Sequence, residues 1–323
     1  MKSFATLFLM LAFNTIPALA DQPITHVDVS GSTTSDGIHD RSLIASWRNH
    51  RRDLFWPLPE EADRAWDVET RAELHQGDDQ QGHYRGQRFA LGMGRKFSPT
   101  WLLDALLGFH AVSEDINYTT KVIPTGDVAL YFAPATQLNV TARYGHDFVY
   151  QDLVQPGGLS NHLTADSLWL DLVPRPVDAW RFPIRSSVRR FSDANTRRNV
   201  DASVLYGLAM SELWVWAGLG AEYLSYTTTQ TSYWSPSRFL AMGPRLEAVV
   251  PVYRSFRAAA SVNLNRFQEN QFAWGWGYYT TARLELGNRE GWLGSVGYTR
   301  IRSSQGGTQW FSNGLTLSLS AQL

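Results

Sequence analysis

The chain has 323 residues, with 29 Lys plus Arg against 30 Asp plus Glu and a formal charge of −1, so it lacks the basic stripe that grips nucleic acid. Cysteine is absent, which excludes disulfides, thiolate metal sites and a lipidated leader cysteine. Aromatic residues make up 13%, yet mean hydropathy is −0.26 and no run beyond residue 20 approaches the ~18 apolar residues of a spanning helix, which excludes a helical membrane protein but not one built from strands.

In chain order, Lys2, the apolar run "FATLFLMLAF" and "IPALA", with small Ala18 and Ala20, predict a secretory signal peptide over 1–20, cleaved before Asp21. Residues 21–323 are then one domain. A weak strand near "HVDVSGSTT" and a break at "RRDLFWPLPEEADRA" precede a series of period-two stretches: "WDVETRAEL", "RFALGMGR", "LLDALLGFH", "QLNVTARYGHD", "SLWLDL", "NVDASVLYGL", "PRLEAVVPV", "RAAASVNLN" and "WGWGYYTTARLEL". In the last, "GLTLSLSAQL", Leu315, Leu317 and Leu319 share one face and Thr316, Ser318 and Ser320 the other.

The polar faces carry acids and bases side by side: Asp67, Glu69, Arg71 and Glu73; Arg245 and Glu247; Arg283 and Glu285. Such faces suit a wet lumen better than the dry core of a sandwich. Connections alternate between short ("FSPT", "PATQ", "PRPVD", "MSE", "VYRS", "GNREG") and long ("HQGDDQQGHYRG", "SEDINYTTKVIPT", "QDLVQPGGLSNH", "FSDANTRR", "TTTQTSYWSPS"). The prediction is an all-β transmembrane antiparallel barrel of about sixteen strands, fourteen being the alternative, with short periplasmic turns and long extracellular loops. Trp101, Trp180, Trp214, Trp216, Trp274, Trp276, Trp292 and Trp310 fall near strand ends, where an interfacial ring meets both lipid and water.

No G-x-S-x-G elbow, H-E-x-x-H helix or calcium loop is present. His146 and Asp147 are adjacent, and on a strand they point to opposite faces. His75, His83, His110 and His162 share no short spacing, and Ser235 and Ser237 have no base nearby in sequence. The reading is therefore non-catalytic, without cofactor or metal. The expected lumenal residues are mixed in charge: Glu73, Asp104, Asp171, Asp201, Glu222, Glu247 and Glu285 against Arg71, Arg88, Arg143, Arg245, Arg257 and Arg283. A balanced set favours neither cation nor anion. It suits a neutral hydroxyl-rich solute, with Trp169, Tyr279, Asn263 and Asn265 as candidate contacts.

The stretch "SYWSPSRFLAMGPRLEAVVPV" resembles the "Y-F-S-P-x-x-Y-L" segment of the C-terminal outer-membrane barrel of the cellulose-synthase export subunit and, more loosely, its poly-N-acetylglucosamine counterpart. Tyr233, Trp234, Ser235, Pro236, Arg238, Phe239 and Leu240 carry the likeness, Trp234 standing where the family has Phe. The resemblance implies a non-enzymatic channel in the bacterial outer membrane that exports polysaccharide, with Trp234, Pro236, Arg238 and Phe239 as gate candidates. The family's barrel follows helical tetratricopeptide repeats, whereas strand-like sequence follows the leader here. The likeness thus implies separate periplasmic and inner-membrane export components as partners, besides outer-membrane lipid. A lipid or peptide hydrolase, a general porin and an adhesive barrel stay open as alternatives.

Overall fold

The computed structural model describes residues 24–35, 37–49, 66–78, 82–98, 100–135, 137–149, 162–177, 179–211, 213–253, 256–287 and 291–322. The leader and "RRDLFWPLPEEADRA" lie outside them. The strands are β1 (Ile24–Thr34), β2 (His39–Arg48), β3 (Asp67–Asp78), β4 (His83–Ser98), β5 (Trp101–Glu114), β6 (Thr119–Ala135), β7 (Leu138–Phe148), β8 (Thr164–Pro174), β9 (Trp180–Arg181), β10 (Ile184–Phe191), β11 (Thr196–Met210), β12 (Trp214–Tyr226), β13 (Phe239–Tyr253), β14 (Phe256–Glu269), β15 (Gly275–Gly287), β16 (Trp292–Gln305) and β17 (Thr308–Gln322).

Every strand is antiparallel to its neighbours, and β1 pairs with both β2 and β17, closing the sheet on itself. Closure removes the unpaired edge that would otherwise face hydrocarbon. β9 and β10 form one stave: Arg181 opposes Leu205 and Ile184 opposes Ala202, so the register runs unbroken across Phe182 and Pro183. Pro183 has no N–H to give the ladder, but its carbonyl still accepts from the Ser203 amide at 2.9 Å. The result is a closed barrel of sixteen staves.

A walk across the ladders returns to β1 displaced by about 18 residues, which sets a strand tilt of about 40° and a backbone radius of about 15 Å. Register shifts fall at Lys96/Ser98, Phe132/Ala135, Gly207/Ala209 and Val250/Tyr253, all at the short-turn end. Much of what reads as long connection in the sequence is strand continuing past the apolar band. His83 starts β4 and Thr119 starts β6, and the longer connections at that end are 149–163 and 227–238.

The period of two sorts the two faces. Leu315, Leu317 and Leu319 of β17 are exposed on the outside, as are Leu107 and Phe109 of β5, Leu168 of β8 and Leu219 of β12. Trp101, Trp180 and Trp292 open their strands at the short-turn end with exposed rings, whereas Trp214 shares the face of Trp216 and meets its ring at 5.9 Å. Trp216 departs from the interfacial expectation. It is buried against the lumenal side, with the Arg181 guanidinium 4.5 Å from its ring centroid.

Candidate functional site: a charged lumen beneath an apolar cap

The inward residues form a ladder of paired charges. Arg48 donates from Nε to Glu69 at 2.9 Å, Arg71 meets Glu73 at 2.6 Å, and Arg88 reaches Glu73 at 3.1 Å and Asp147 at 3.5 Å. Arg143 forks onto Asp127, Arg181 meets Glu247, and Arg283 meets Glu285 at 2.9 Å with Arg257 at 3.7 Å from the same carboxylate. Arg245 crosses the wall from β13 to Asp201 of β11, its Nη1 donating at 2.8 Å. It passes over Gly220 of β12, where a Cβ would sit 1.9 Å from the Arg245 Nε. Gly220→Ala is therefore expected to displace Arg245 and break its fork on Asp201, which a crystal structure of the variant checks.

Trp169 stands inward between two cations, Arg143 at 5.4 Å and Arg189 at 5.7 Å from its ring. Tyr279 lies opposite Asn263 on the inner wall, and Asn265 follows on the same face. Asp104 lines an inner recess of about 210 Å³ with Arg48, Arg71, Asp127 and Arg143. Asp171 has Arg185 at 4.0 Å, and Glu222 accepts from Asn199 at 3.3 Å. Each expected lumenal residue on β3 to β15 thus shares the inner face.

Towards the long-loop end the inner wall turns apolar. Val149, Leu163, Ala165, Phe191, Leu224, Tyr226, Tyr233, Phe239, Ala241 and Phe267 form one buried cluster with Trp234 packed on it. Tyr84, Val112, Ile123 and Phe148 form a second, with Ile116 against it. The connection 227–238 bends over the first cluster and is pinned there. Tyr233 is 1% exposed; its hydroxyl donates to Asp193 at 2.9 Å and accepts from Asn195 Nδ2 at 2.8 Å. Trp234 Nε1 donates to Glu269 at 2.9 Å, the Trp234 ring meets Phe239 edge-on at 5.6 Å, and Phe239 stacks on Phe267 at 6.1 Å. Pro236 is fully buried and its carbonyl accepts from the Tyr226 amide at 3.0 Å. Ser235 Oγ accepts from the Gln230 amide at 2.7 Å, which makes it a loop clasp.

Arg238 is placed apart from the other gate candidates. Phe239 is buried inward, so the neighbouring Arg238 lies on the outside, exposed and donating to Gln268 at 2.8 Å. Of the four gate candidates the fold gathers Trp234, Pro236 and Phe239 at the mouth and turns Arg238 away.

Burial, together with the adjacent Asp193 carboxylate, pushes the Tyr233 phenol above its usual range, against the opposing Asn195 hydrogen bond. A group whose docked pKa is raised contributes stability that is complete below its free value of about 10 and is lost as pH rises through the docked value. The protection of the 227–238 amides, taken relative to their intrinsic base-catalysed exchange, is therefore expected to hold up to about pH 10 and to fall above it. Tyr233→Phe is expected to weaken docking by about 1–3 kcal/mol, because Asp193 and Asn195 lose a buried partner, and to abolish that alkaline step.

No protein-family model and no curated relative matches the chain. Among solved structures, a bacterial polysaccharide outer membrane secretin superposes with a TM-score of 0.71 at 14% identity, covering 93% of this chain and 98% of that one. The fold is that of a bacterial outer-membrane β-barrel. OccK11 (OpdR) of Pseudomonas aeruginosa aligns over 94% of this chain and 96% of its own at 9% identity and a TM-score of 0.46. CdiB from Acinetobacter baumannii aligns over 92% of this chain and 60% of its own at 8% identity and a TM-score of 0.49.

The histidines of this outer-membrane barrel serve its walls. His146 points outward to Asp166 at 2.9 Å, while Asp147 points inward to His110 at 2.6 Å, the opposite facing that strand geometry demands. His75 meets Glu73 at 3.0 Å. His162 Nε2 meets Thr119 Oγ1 at 2.7 Å, but that hydroxyl gives its proton to Glu114 at 2.6 Å. An acid that binds the hydroxyl leaves the far ring nitrogen unoriented, the reverse of a nucleophile relay. Burial holds the His162 pKa below its usual value, against the raising effect of Glu114.

Sequence reasoning did not single out Asp193, Asn195 and Glu269, the three residues that fasten the cap. Asn195 is 1% exposed in a turn between β10 and β11, and nothing local marks it as the partner of a tyrosine in another loop.

Proposed function

We propose that this barrel is a non-catalytic outer-membrane channel that exports a hydrophilic, largely uncharged polysaccharide. The observation that carries this reading is the inner wall, where arginines are matched by carboxylates across β2 to β15 and the aromatic faces of Trp169 and Tyr279 stand among them. A wall with paired charges exerts little net pull on ions. Its donors and acceptors exchange hydrogen bonds with hydroxyls, and its rings offer apolar faces to sugar rings. The fold shared with a polysaccharide secretin supports the same reading. The wide barrel gives an extended polymer room once the cap moves aside, and the cap keeps other solutes out in its absence.

The test is polymer release from the native host. Deleting the gene is expected to leave polysaccharide in the periplasm, and a copy carrying Trp169→Ala and Tyr279→Ala is expected to restore only a minor fraction of release. Undiminished release by the deletion strain would refute export as the function.

A further inference from the structure

We propose that the outward face of β13 to β16, at the long-loop end, is a binding site for the phosphorylated headgroup of an outer-leaflet saccharolipid. The site is built from Arg238, Arg266, Arg300 and Arg302 with Trp276 and Tyr278. On the ladders, Arg266 lies opposite Trp276, Tyr278 opposite Arg302, and Arg300 opposite Thr280. All four arginines are exposed, and strand parity sets Arg266 with outward Leu264, and Arg300 and Arg302 with outward Val296 and Tyr298. The Arg266 guanidinium lies 5.3 Å from the Trp276 ring centroid and Arg300 lies 5.9 Å from that of Tyr278, so the cations are spread over flat aromatic surface.

Charge and height together identify the occupant. On the inner wall Arg48, Arg71, Arg88, Arg143, Arg181 and Arg245 each rest on a carboxylate. Among the described residues, no Asp or Glu faces outward anywhere from β13 to β17, so the four outer arginines have no acidic partner from the protein. A cation on the lipid-facing wall is costly near the midplane and tolerated near an interface. Exposed Trp292 marks the short-turn interface on β16, and Arg300 and Arg302 stand about 20–25 Å further along the membrane normal on the same tilted strand. That is the height of the apolar band, which places the guanidinium groups level with the headgroups of the opposite leaflet. The anion available there is a lipid phosphate, and the guanidinium fork binds phosphate oxygens in pairs. Acyl chains would lie on the outward Leu246, Leu264 and Val296 below. This site does not depend on what passes through the lumen.

The experiment is native mass spectrometry of the full-length barrel in detergent, titrated with bisphosphorylated lipid A and with the same lipid after phosphatase treatment. Wild type is expected to bind the phosphorylated form at least about tenfold more tightly, and Arg266→Gln/Arg300→Gln/Arg302→Gln to lose that preference. The Lys versions at the three positions are expected to retain part of it, since charge remains and the fork is lost. Equal binding of both lipids, or an unchanged triple Gln variant, would overturn the proposal. So would full displacement of the lipid by millimolar inorganic phosphate, which would make this a phosphate-ion site. Heat-modifiable gel migration verifies folding of each variant, and Arg300→Gln and Arg302→Gln singly decide the matter if the triple variant does not fold. Bilayer conductance is expected to be unchanged throughout, which separates failure here from failure of the channel reading.

Discussion

Excising residues 229–237 and bridging Thr228 to Arg238 with a short Gly-Ser link is expected to raise single-channel conductance in planar bilayers by roughly tenfold or more. The reason is local. Tyr233, Trp234 and Pro236 lie on the inner wall of the mouth, held by Asp193, Asn195 and Glu269, and they are the part of the apolar cap that the connection 227–238 contributes. The staves keep their ladder bonds without them, because the β12 to β13 register is carried from Trp214–Val249 to Leu224–Phe239. Tyr233→Ala should act in the same direction with a smaller effect, by frequent brief openings. Conductance equal to wild type in the excised variant would mean that the cap does not limit passage.

The second large effect separates the two faces of one strand. Leu317→Arg puts a cation on the lipid-facing side near mid-height of β17, opposite Val296, and is expected to cost about 2–4 kcal/mol in reversible unfolding from lipid bilayers. Ser318→Arg, one residue further, points inward beside Asp28 and is expected to change stability by no more than about 0.5 kcal/mol. Its effect should appear instead as a shift of the open pore towards anions. Equal costs at the two positions would contradict the assignment of faces.

The strands and their faces were legible because lipid on one side and water on the other impose a period of two that no packing partner overrides, as the leucines of β17 illustrate. The paired lumenal charges followed from the same parity: once Arg245 and Asp201 are known to share a face, only the pairing across β12 is left to the structure. That last step was not legible, because it depends on Gly220 leaving space for the arginine side chain. Arg238 entered the gate candidates through the resemblance, and alternation within the segment sends Phe239 and Arg238 to opposite sides. The ends of the strands were also obscured. Past the apolar band both faces are polar, so "SEDINYTTKVIPT" reads as loop although Thr119 already opens β6. The fastening of the cap escaped for a different reason. Tyr233 and its partners Asp193 and Asn195 sit in two separate loops, and it is the register of β11 on β12, Arg197 opposite Tyr226, that sets those loops side by side.

Passage of a neutral sugar polymer, as proposed for this lumen, is tested by ion current through the cap-excised barrel with linear neutral oligosaccharides of increasing length. Discrete current blockades are expected, their dwell time lengthening with chain length and shortening in Trp169→Ala, with equal response at either polarity. Current that is indifferent to oligosaccharides of every length, while small cations or anions pass with strong selectivity, would contradict it.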